Sequence, residues 1–299
     1  MKLLQMVYLG WWFFRARVFG RKAPLQTVLF ISDRCNLRCK HCSVYKLKNP
    51  NHMTYEQVRE HLEYSYRLGS RFVDFEGGET MIWHDGNRDI NSLIYLAKEV
   101  GFFSATVTTN AQLPFDQLRA DSVWVSMDGL GEFHEAIRGK GTFARLEENI
   151  AACGHPHLSV NMVVSTVNHT NVGDALEYVK RNPAIAMVSV NFYTPFPGAG
   201  DITLTRERQC EVIDEVIAYK KRGYPIMNSV SGLRLMKHNR FKRHCWVTNF
   251  IYPDGTRSAT CAGESIGICD RCGLCMAGEM NAVFNFRPDT LFAGLKLRL

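Results

Sequence analysis

Short β-rich segments alternate with helical segments along most of this 299-residue chain, and this alternation limits the fold more than any other feature. Six apolar, β-branched or aromatic segments are predicted to be strands, at residues 27–31, 72–75, 103–108, 123–126, 158–164 and 187–192. Strands separated by helices pair in parallel through right-handed crossovers. A closed barrel of this type has eight units. The chain is therefore predicted to be α/β, with either an open partial (β/α)6 barrel or a doubly wound sheet.

The helices predicted between these strands carry their own start and stop signals. They are expected at residues 55–68, 90–100, near 115–120, and at 143–153, 171–181 and 206–222. Thr54 and Gln57 match a capping box at the start of the first of them, and Gly69 and Gly101 stand where helices end in a left-handed residue. In parallel α/β folds the chemistry lies at the carboxyl ends of the strands. The polar motifs of the barrel segment fall at those ends.

The first strand is followed by CNLRCKHC, in which Cys35, Cys39 and Cys42 are spaced to meet at one point. Iron–sulfur clusters are usually held by four thiolates, so three cysteines leave one iron open, and an open metal position can coordinate a substrate. A zinc site would need a fourth ligand, and His41 is poorly placed because neighbouring side chains point apart. The motif resembles the radical S-adenosylmethionine (SAM) superfamily. In that family a [4Fe–4S] cluster binds SAM through its open iron and cleaves it to a 5′-deoxyadenosyl radical.

A second motif, EGGET at residues 76–80, follows the second strand. Glycines allow the backbone to approach a partner more closely than any other residue. In radical SAM enzymes a GGE motif at this place engages the amino group of SAM, so the resemblance implies that role for Gly77, Gly78 and Glu79. Thr80 stands where the family often has proline.

The stretch VSMDGLGEFHEAIRGKGTF at residues 125–143 resembles a segment of radical SAM enzymes that carry SPASM or twitch extensions. The resemblance implies that Ser126 and Arg138 hold the carboxylate and ribose region of SAM. A guanidinium suits a carboxylate because it donates in a fixed fork, although a surface role for Arg138, in the turn before the fourth helix, stays open. Asp128 is predicted to be structural. Asn161, on the fifth strand, is predicted to contact SAM.

A second group of cysteines lies near the carboxyl end of the sequence. Cys245 and Cys261 flank a predicted hairpin with Asp254-Gly255 at its turn, and Cys269, Cys272 and Cys275 follow in CDRCGLC. This resembles the start of a SPASM or twitch domain, with one extra residue after the glycine and more compact later cysteines. We expect one auxiliary [4Fe–4S] cluster, held by the first two and two or three of the last three. A four-thiolate zinc ribbon stays open, because spacing does not separate iron from zinc.

Charge and cysteine usage narrow the class of protein. The net charge of +7 comes without a long basic run interleaved with aromatics, so nucleic acid is not an expected partner. Eight of the ten cysteines fall in two tight groups, which favours metal binding over a disulfide framework and a reducing compartment. Cys153 and Cys210 are predicted to be ordinary buried thiols. We expect a cytoplasmic protein.

Residues 1–24 combine an apolar stretch with a basic end and are predicted to form an amphipathic N-terminal helix. The twelve residues 3–14, which are almost all apolar, span about 18 Å as a helix. A membrane crossing needs ~20 residues. No signal-cleavage pattern follows. Tryptophan and arginine at the end of a short apolar helix are typical of a membrane interface. The segment is therefore expected to lie on the inner face of the membrane. A helix that covers the bottom of the barrel or forms a dimer contact is the alternative.

The expected organisation is a radical SAM barrel at residues 25–225, a SPASM- or twitch-like region at 240–285 and a tail at 286–299. The resemblance implies that a flavodoxin or ferredoxin-type reductant supplies an electron, and that the adenosyl radical removes hydrogen from a substrate or adds to it. The sequence identifies neither the substrate nor the catalytic side chain that faces it. The N-terminal segment favours a lipid or membrane-associated substrate. A peptide- or protein-modifying maturase and a non-catalytic iron–sulfur or zinc scaffold are the alternatives.

Overall fold

A computed structural model of the chain describes residues 3–296, which contain one eight-stranded sheet with helices packed against it. The strands are β1 (Gln26–Phe30), β2 (Phe72–Glu76), β3 (Ser104–Thr109), β4 (Ser122–Ser126), β5 (Leu158–Val164), β6 (Met187–Phe192), β7 (Thr248–Ile251) and β8 (Arg257–Ser258). The helices are α1 (Leu3–Val18), α2 (Tyr55–Leu68), α3 (Ile90–Val100), α4 (Gly131–Arg138), α5 (Thr142–Cys153), α6 (Val172–Arg181), α7 (Arg206–Lys221), α8 (Val230–His238), α9 (Ala262–Ser265), α10 (Met276–Phe284) and α11 (Pro288–Lys296).

The strand order decides between the two predicted architectures. It runs β6-β5-β4-β3-β2-β1-β7-β8, and β1 to β6 are successive parallel neighbours. A doubly wound sheet would reverse its direction of winding at a switch point, and β1 to β6 show no such reversal. The two edges of the described sheet, β6 and β8, do not pair. The fold is therefore the open partial (β/α)6 barrel, and the doubly wound alternative is wrong.

Each strand has one face against the helices and one face toward the barrel interior. Val73 and Phe75 of β2 are fully buried in the main apolar core, together with residues of the surrounding helices. Side chains alternate along a strand, so Asp74 and Glu76 point to the opposite face. That face carries more polar residues and is only partly buried. It forms the wall of the cavity in which a substrate would lie.

The six predicted barrel strands and most of the predicted helices are confirmed to within one or two residues. The capping box of Thr54 and Gln57 is present, and Gly69 ends α2 in the left-handed region with φ 117°. The short helix predicted near residues 115–120 is wrong. Phe115 and Leu118 insert into the core from a single turn. Forming a single helical turn fixes several dihedral angles in return for one hydrogen bond. A segment this short is therefore held in place by packing rather than by helix propensity.

Helix α4 is the main barrel element that the sequence pattern missed. Arg138 was predicted in a turn, but it is the last residue of this eight-residue helix. Gly139 follows it with φ 114° and donates its N–H to the carbonyl of Glu135. The glycines at both ends made the segment read as a loop. The helix matters for function because it sets the position of the Arg138 side chain.

The carboxyl-terminal region is continuous with the barrel. Strand β7 pairs in parallel with β1, and β8 returns antiparallel through the predicted Asp254-Gly255 turn. The described part of the predicted tail at 286–299 is not an extended tail but includes helix α11. It is fixed to α8 by Ser229 Oγ–Thr290 Oγ1 at 2.7 Å and Ser231 Oγ–Asp289 Oδ1 at 2.8 Å. Residues 297–299 lie outside the described range.

Helix α1 lies at the amino-terminal ends of the barrel strands. The Trp12 indole N–H donates to the carbonyl of Ala23 at 2.8 Å, just before β1. The Tyr8 hydroxyl donates to the carbonyl of Gly69, and its ring meets Phe103 edge to face at 5.5 Å. The helix therefore covers the bottom of the barrel, as one of the two sequence alternatives expected. Within residues 3–296, no helix has the length and apolarity to cross a membrane.

Candidate functional site

The loop after β1 brings the first three cysteines together at the carboxyl end of the sheet. The thiols of Cys35 and Cys42 are near enough to that of Cys39 to interact with it electrostatically. The Cys42 N–H donates to the Cys39 carbonyl at 3.1 Å, and the Leu37 N–H points at the Cys35 sulfur at 3.4 Å. Burial raises the pKa of the Cys39 thiol to about 11. A metal that binds these groups as thiolates would therefore displace protons on binding.

The donor side chains of the first cysteine loop are not gathered around a single point. Among residues 3–296, no three His, Cys, Asp or Glu side chains come close enough to share one metal ion. A zinc site needs its thiolates about 2.3 Å from one point. A [4Fe–4S] cube carries one thiolate on each of several irons, so its ligands need not meet at a point. None of the ten cysteines, all of which the structure describes, forms a disulfide.

Gly77 and Gly78 lock the second motif onto the backbone of the cysteine loop. A Cβ on Gly77 would lie 2.4 Å from the carbonyl oxygen of Ser32, and one on Gly78 would lie 2.1 Å from that of Arg34. The Gly78 N–H donates to Ser32 O at 2.7 Å, and the Glu79 N–H donates to Arg34 O at 2.9 Å. Glycine is thus needed at both positions because any side chain would overlap the neighbouring backbone. That contact holds the motif beside the cysteines.

Replacing Gly78 by Ala is expected to displace the loop and lower the iron content of the first cysteine site. The added methyl group overlaps a backbone carbonyl, which cannot swing aside as a side chain can. Overpacking of this kind costs about 1–3 kcal/mol. Iron per chain after anaerobic reconstitution, with the melting temperature, measures the effect. Gly10→Ala is the control, because a Cβ there meets open space, and full iron loading in Gly78→Ala would contradict the interpretation.

Glu79 joins the ends of β2 and β3. Its carboxylate, 2% exposed, accepts from Thr109 Oγ1 at 2.6 Å, Asn110 N at 2.7 Å and Met81 N at 3.0 Å. Burial raises its pKa, while these donors work to lower it. A carboxylate offers about four acceptor sites, so capacity for one further donor remains. The Asn110 amide in turn donates to Asn36 Oδ1 at 2.7 Å, which ties this network to the cysteine loop.

A buried ion pair holds Arg138 beside the cysteines. Its Nε donates to Asp128 Oδ2 at 2.8 Å, and the side chains are 8% and 0% exposed. The Val163 N–H donates to the other carboxylate oxygen at 2.9 Å. Burial works to raise the pKa of Asp128, but Arg138, His41, the Val163 N–H and His134 together outweigh it and the pKa is lowered. A surface role for Arg138 is therefore wrong, and Asp128 orients that side chain besides turning the chain.

The Arg138 guanidinium is close enough to interact electrostatically with the thiols of Cys39 and Cys42. The site thus holds a fixed positive charge next to the first cysteine loop. Such a charge suits a carboxylate that approaches the same point. His134, which is fully buried, supports this arrangement from behind through its Nδ1, which accepts the Asp128 N–H at 3.2 Å. Burial lowers the pKa of His134 to about 4, so it is neutral at physiological pH.

Ser126, the last residue of β4, lies beside its register partner Asn161 in the middle of β5. Asn161 Oδ1 accepts from Asn191 Nδ2 at 2.8 Å, and Asn191 Oδ1 accepts from the Cys275 N–H at 2.9 Å. A row of polar groups therefore runs across the neighbouring strands β4, β5 and β6. It connects the first site with the second cysteine group.

The last loop of the second cysteine group, CDRCGLC, packs against the carboxyl end of β6. The side chains of Cys245 and Cys261 are near enough that each shifts the pKa of the other. Gly273 docks the CDRCGLC loop on the strand: its N–H donates to Thr194 Oγ1 and its carbonyl accepts from Phe192, both at 2.9 Å. A Cβ on Gly273 would lie 2.0 Å from the Phe192 carbonyl oxygen. Cys245 directly precedes β7 and so lies at the amino-terminal end of that strand, which means that the second group is not confined to the carboxyl end of the barrel.

Glu76, at the last position of β2, is a candidate that the sequence reasoning did not single out. It faces the barrel interior directly before Gly77, with Thr108 Oγ1 at 3.5 Å. Burial, with Asp74 nearby, raises the pKa of Glu76 to about 7. A group that exchanges a proton near neutral pH suits general acid–base chemistry. An acidic residue on the strand before the glycine pair was the available signal.

Sequence comparisons agree with the motifs. The family described as the Radical SAM superfamily matches residues 29–179, half of the chain. A GTP 3′,8-cyclase of Clostridium botulinum (strain Okra / Type B1) is 27% identical over 277 residues, covering 87% of this chain and 81% of that protein. An Fe-coproporphyrin III synthase of Methanosarcina barkeri is 28% identical over 249 residues, covering 74% and 61%.

Solved structures share the fold at low sequence identity. Streptococcus suis SuiB bound to S-adenosylmethionine superposes with a TM-score of 0.66 at 17% identity, covering 92% of this chain and 68% of that one. The protein anSMEcpe with bound AdoMet gives a TM-score of 0.62 at 16% identity, covering 89% and 81%. These likenesses establish the architecture of the barrel.

Proposed function

Because the chain belongs to the radical SAM superfamily, we propose that Cys35, Cys39 and Cys42 hold the [4Fe–4S] cluster on which that family depends. The enzyme would cleave SAM reductively, and the adenosyl radical would remove hydrogen from an unidentified substrate or add to that substrate. When bound and reduced, the cluster and SAM supply a 5′-deoxyadenosyl radical. The observation that carries the proposal is the convergence of three thiols beside the buried Arg138 guanidinium at the carboxyl ends of the strands.

The proposed roles of the other residues follow from their contacts. Arg138 would bind the SAM carboxylate, because Asp128 fixes its Nε and so orients the guanidinium. The backbone at Gly77 and Gly78 would lie against the SAM amino group, with Glu79 positioning that backbone and keeping one acceptor for the ammonium. Ser126 and Asn161 would line the nucleoside side. These neighbouring strand ends give SAM polar partners along its length.

Formation of 5′-deoxyadenosine is the test of the proposal. Anaerobically reconstituted full chain is expected to produce it from SAM and dithionite, at a rate above that of the same mixture without protein. A non-catalytic iron–sulfur scaffold would carry iron and yield none. A chain that holds about four irons in the first site but never releases 5′-deoxyadenosine would therefore overturn the enzymatic role.

A second, auxiliary [4Fe–4S] cluster is proposed at the carboxyl end of β6, with Cys245, Cys261, Cys269 and Cys272 as ligands. Cys245 affects the pKa of the Cys261 thiol, and Cys261 affects the pKa values of the Cys269 and Cys272 thiols. Of the five, Cys275 differs: it is fully buried in the apolar core. Burial, with Glu279 and Cys272 nearby, raises the pKa of its thiol. Four converging thiolates complete a cube without it.

Iron counting separates these cysteines. Cys272→Ala is expected to lower the iron content from about eight to about four per chain, with loss of the second cluster's EPR signal. Cys275→Ala, the matched control in the same loop, is expected to keep about eight. Equal iron loss in the two variants would contradict the ligand assignment. Zinc in place of the second set of irons would support the zinc ribbon instead.

The reductant is proposed to be a flavodoxin or ferredoxin-type protein. The class of the substrate is a separate question. The likeness in sequence to a GTP 3′,8-cyclase favours a small molecule, and a peptide substrate is the alternative. Glu76 would accept a proton from the substrate, because it lines the interior beside the glycine pair. Substrate-dependent acceleration of 5′-deoxyadenosine release, with GTP and with peptide pools as probes, decides between these classes.

A further inference from the structure

Helix α1 has a second face that nothing in the described chain covers. Leu3, Val7, Trp11, Phe14 and Val18 are 78%, 61%, 53%, 45% and 59% exposed. Their spacing of three or four residues places them on one stripe of the helix. Leu4 and Met6 are exposed beside them. Apolar side chains scattered singly on a surface need no explanation, whereas a continuous exposed patch marks an interaction site.

The stripe is bordered by positive charge. Helix α1 contains no acidic residue, and Arg17, Arg21 and Lys22 are exposed at its carboxyl end. Phe286 extends the apolar surface: it is 55% exposed, and its ring meets Phe13 at 5.3 Å. The Arg17 guanidinium lies over that ring at 5.9 Å. We call this combined surface the α1 face.

We infer that the α1 face docks the enzyme on an anionic lipid bilayer. An apolar stripe with tryptophan, phenylalanine and a basic border is the composition of helices that lie in the membrane interface, and basic residues near anionic headgroups add to the binding. A second copy of the chain suits this surface less well. In a two-fold dimer the same patch meets itself, so Arg17, Arg21 and Lys22 would face their own counterparts with no acidic residue of the helix to pair them.

Docking by this face fixes the orientation of the enzyme. Tyr8 and Trp12 bind the helix to the amino-terminal ends of β1 to β3, whereas the loop of the first three cysteines follows the carboxyl end of β1. A strand of five residues separates the two by about 17 Å. The barrel opening therefore points away from the bilayer. A substrate reaches it from the aqueous side, which disfavours a lipid taken directly from the docked membrane.

Vesicle flotation tests the inference with the full, anaerobically purified chain. At about 0.15 M NaCl, it is expected to float with phosphatidylcholine vesicles containing about 30% phosphatidylglycerol. Pure phosphatidylcholine vesicles should bind it more weakly. The double variant Val7→Asp/Phe14→Asp is expected to lower the partition coefficient by at least about tenfold. Arg17→Glu/Arg21→Glu should lower it on anionic vesicles by a similar factor.

Tyr95→Asp is the control, since Tyr95 is a 60% exposed ring on α3, away from the α1 face. It is expected to float as the unaltered chain does. Iron content and melting temperature, unchanged in each variant, show that the fold is kept. Absence of flotation, or equal flotation of Val7→Asp/Phe14→Asp, overturns the inference. A dimer in sedimentation that this double variant dissociates, without vesicle binding, assigns the face to a second copy. The outcome is independent of the catalytic proposal.

Discussion

Cys39→Ala is expected to abolish 5′-deoxyadenosine formation while leaving the second cysteine group loaded. Of the first three cysteines, Cys39 is the most buried, at 7% exposure, and its thiol interacts with both partners and with Arg138. Two thiolates cannot hold a cube that already lacks a fourth protein ligand. Iron should fall from about eight to about four per chain. Iron analysis, EPR of the reduced protein and chromatography of the SAM products measure the three effects.

The matched control is Cys153→Ala, which removes another buried thiol at the end of α5 without touching either cysteine group. It is expected to keep both the iron content and the 5′-deoxyadenosine rate, at a modest cost in stability. Activity that survived in Cys39→Ala would place the reactive cluster elsewhere. Loss of all iron would show instead that the second group does not load by itself.

The sequence predicted the barrel because the relevant signals are local. Each strand is a short apolar run, and each helix of the barrel repeat lies between two such runs with a glycine or a capping residue at an end. The first cysteine loop was predictable for the same reason, since Cys35, Cys39 and Cys42 fall within eight residues. Family resemblance then gave expected roles to Glu79 and Arg138.

The contacts that support those residues were not predictable, because they join positions far apart in the chain. Glu79 is held by Thr109 and Asn110, some thirty positions later. The glycine pair is constrained by the carbonyls of Ser32 and Arg34, across two strands. A motif names the residue type, but it does not say which neighbour makes that residue necessary. Only packing supplies that information.

The carboxyl-terminal region shows the same limit more strongly. The spacing of Cys269, Cys272 and Cys275 in the sequence did not distinguish one from another. In the structure, Cys275 is packed into the core at the start of α10, whereas the other two are partly exposed. The pairing of β7 with β1 joins residues more than two hundred positions apart. No local pattern marks such a parallel pairing, and the region read as a separate appendage for that reason.

Asp128 and Arg138 form a short ion pair in the first site. How much such a pair contributes to stability depends on whether it is exposed or buried. Exposed ion pairs contribute about 0–1 kcal/mol. Removing one partner of a buried pair costs about 3–5 kcal/mol, because the other charge stays desolvated without a counterion. Both side chains here are at most 8% exposed. The orientation of Arg138 toward SAM therefore depends on Asp128.

Asp128→Asn is expected to weaken SAM binding by at least about tenfold, or 1.4 kcal/mol, with the iron content of the first site kept. The amide retains an acceptor for the Val163 N–H but no longer neutralises the guanidinium, so Arg138 loses its fixed direction. Anaerobic calorimetry with SAM measures the affinity. Asp214→Asn is the control, since it breaks an exposed pair with Lys237 and should change nothing. An unaltered SAM affinity in Asp128→Asn would remove Arg138 from the proposed binding site.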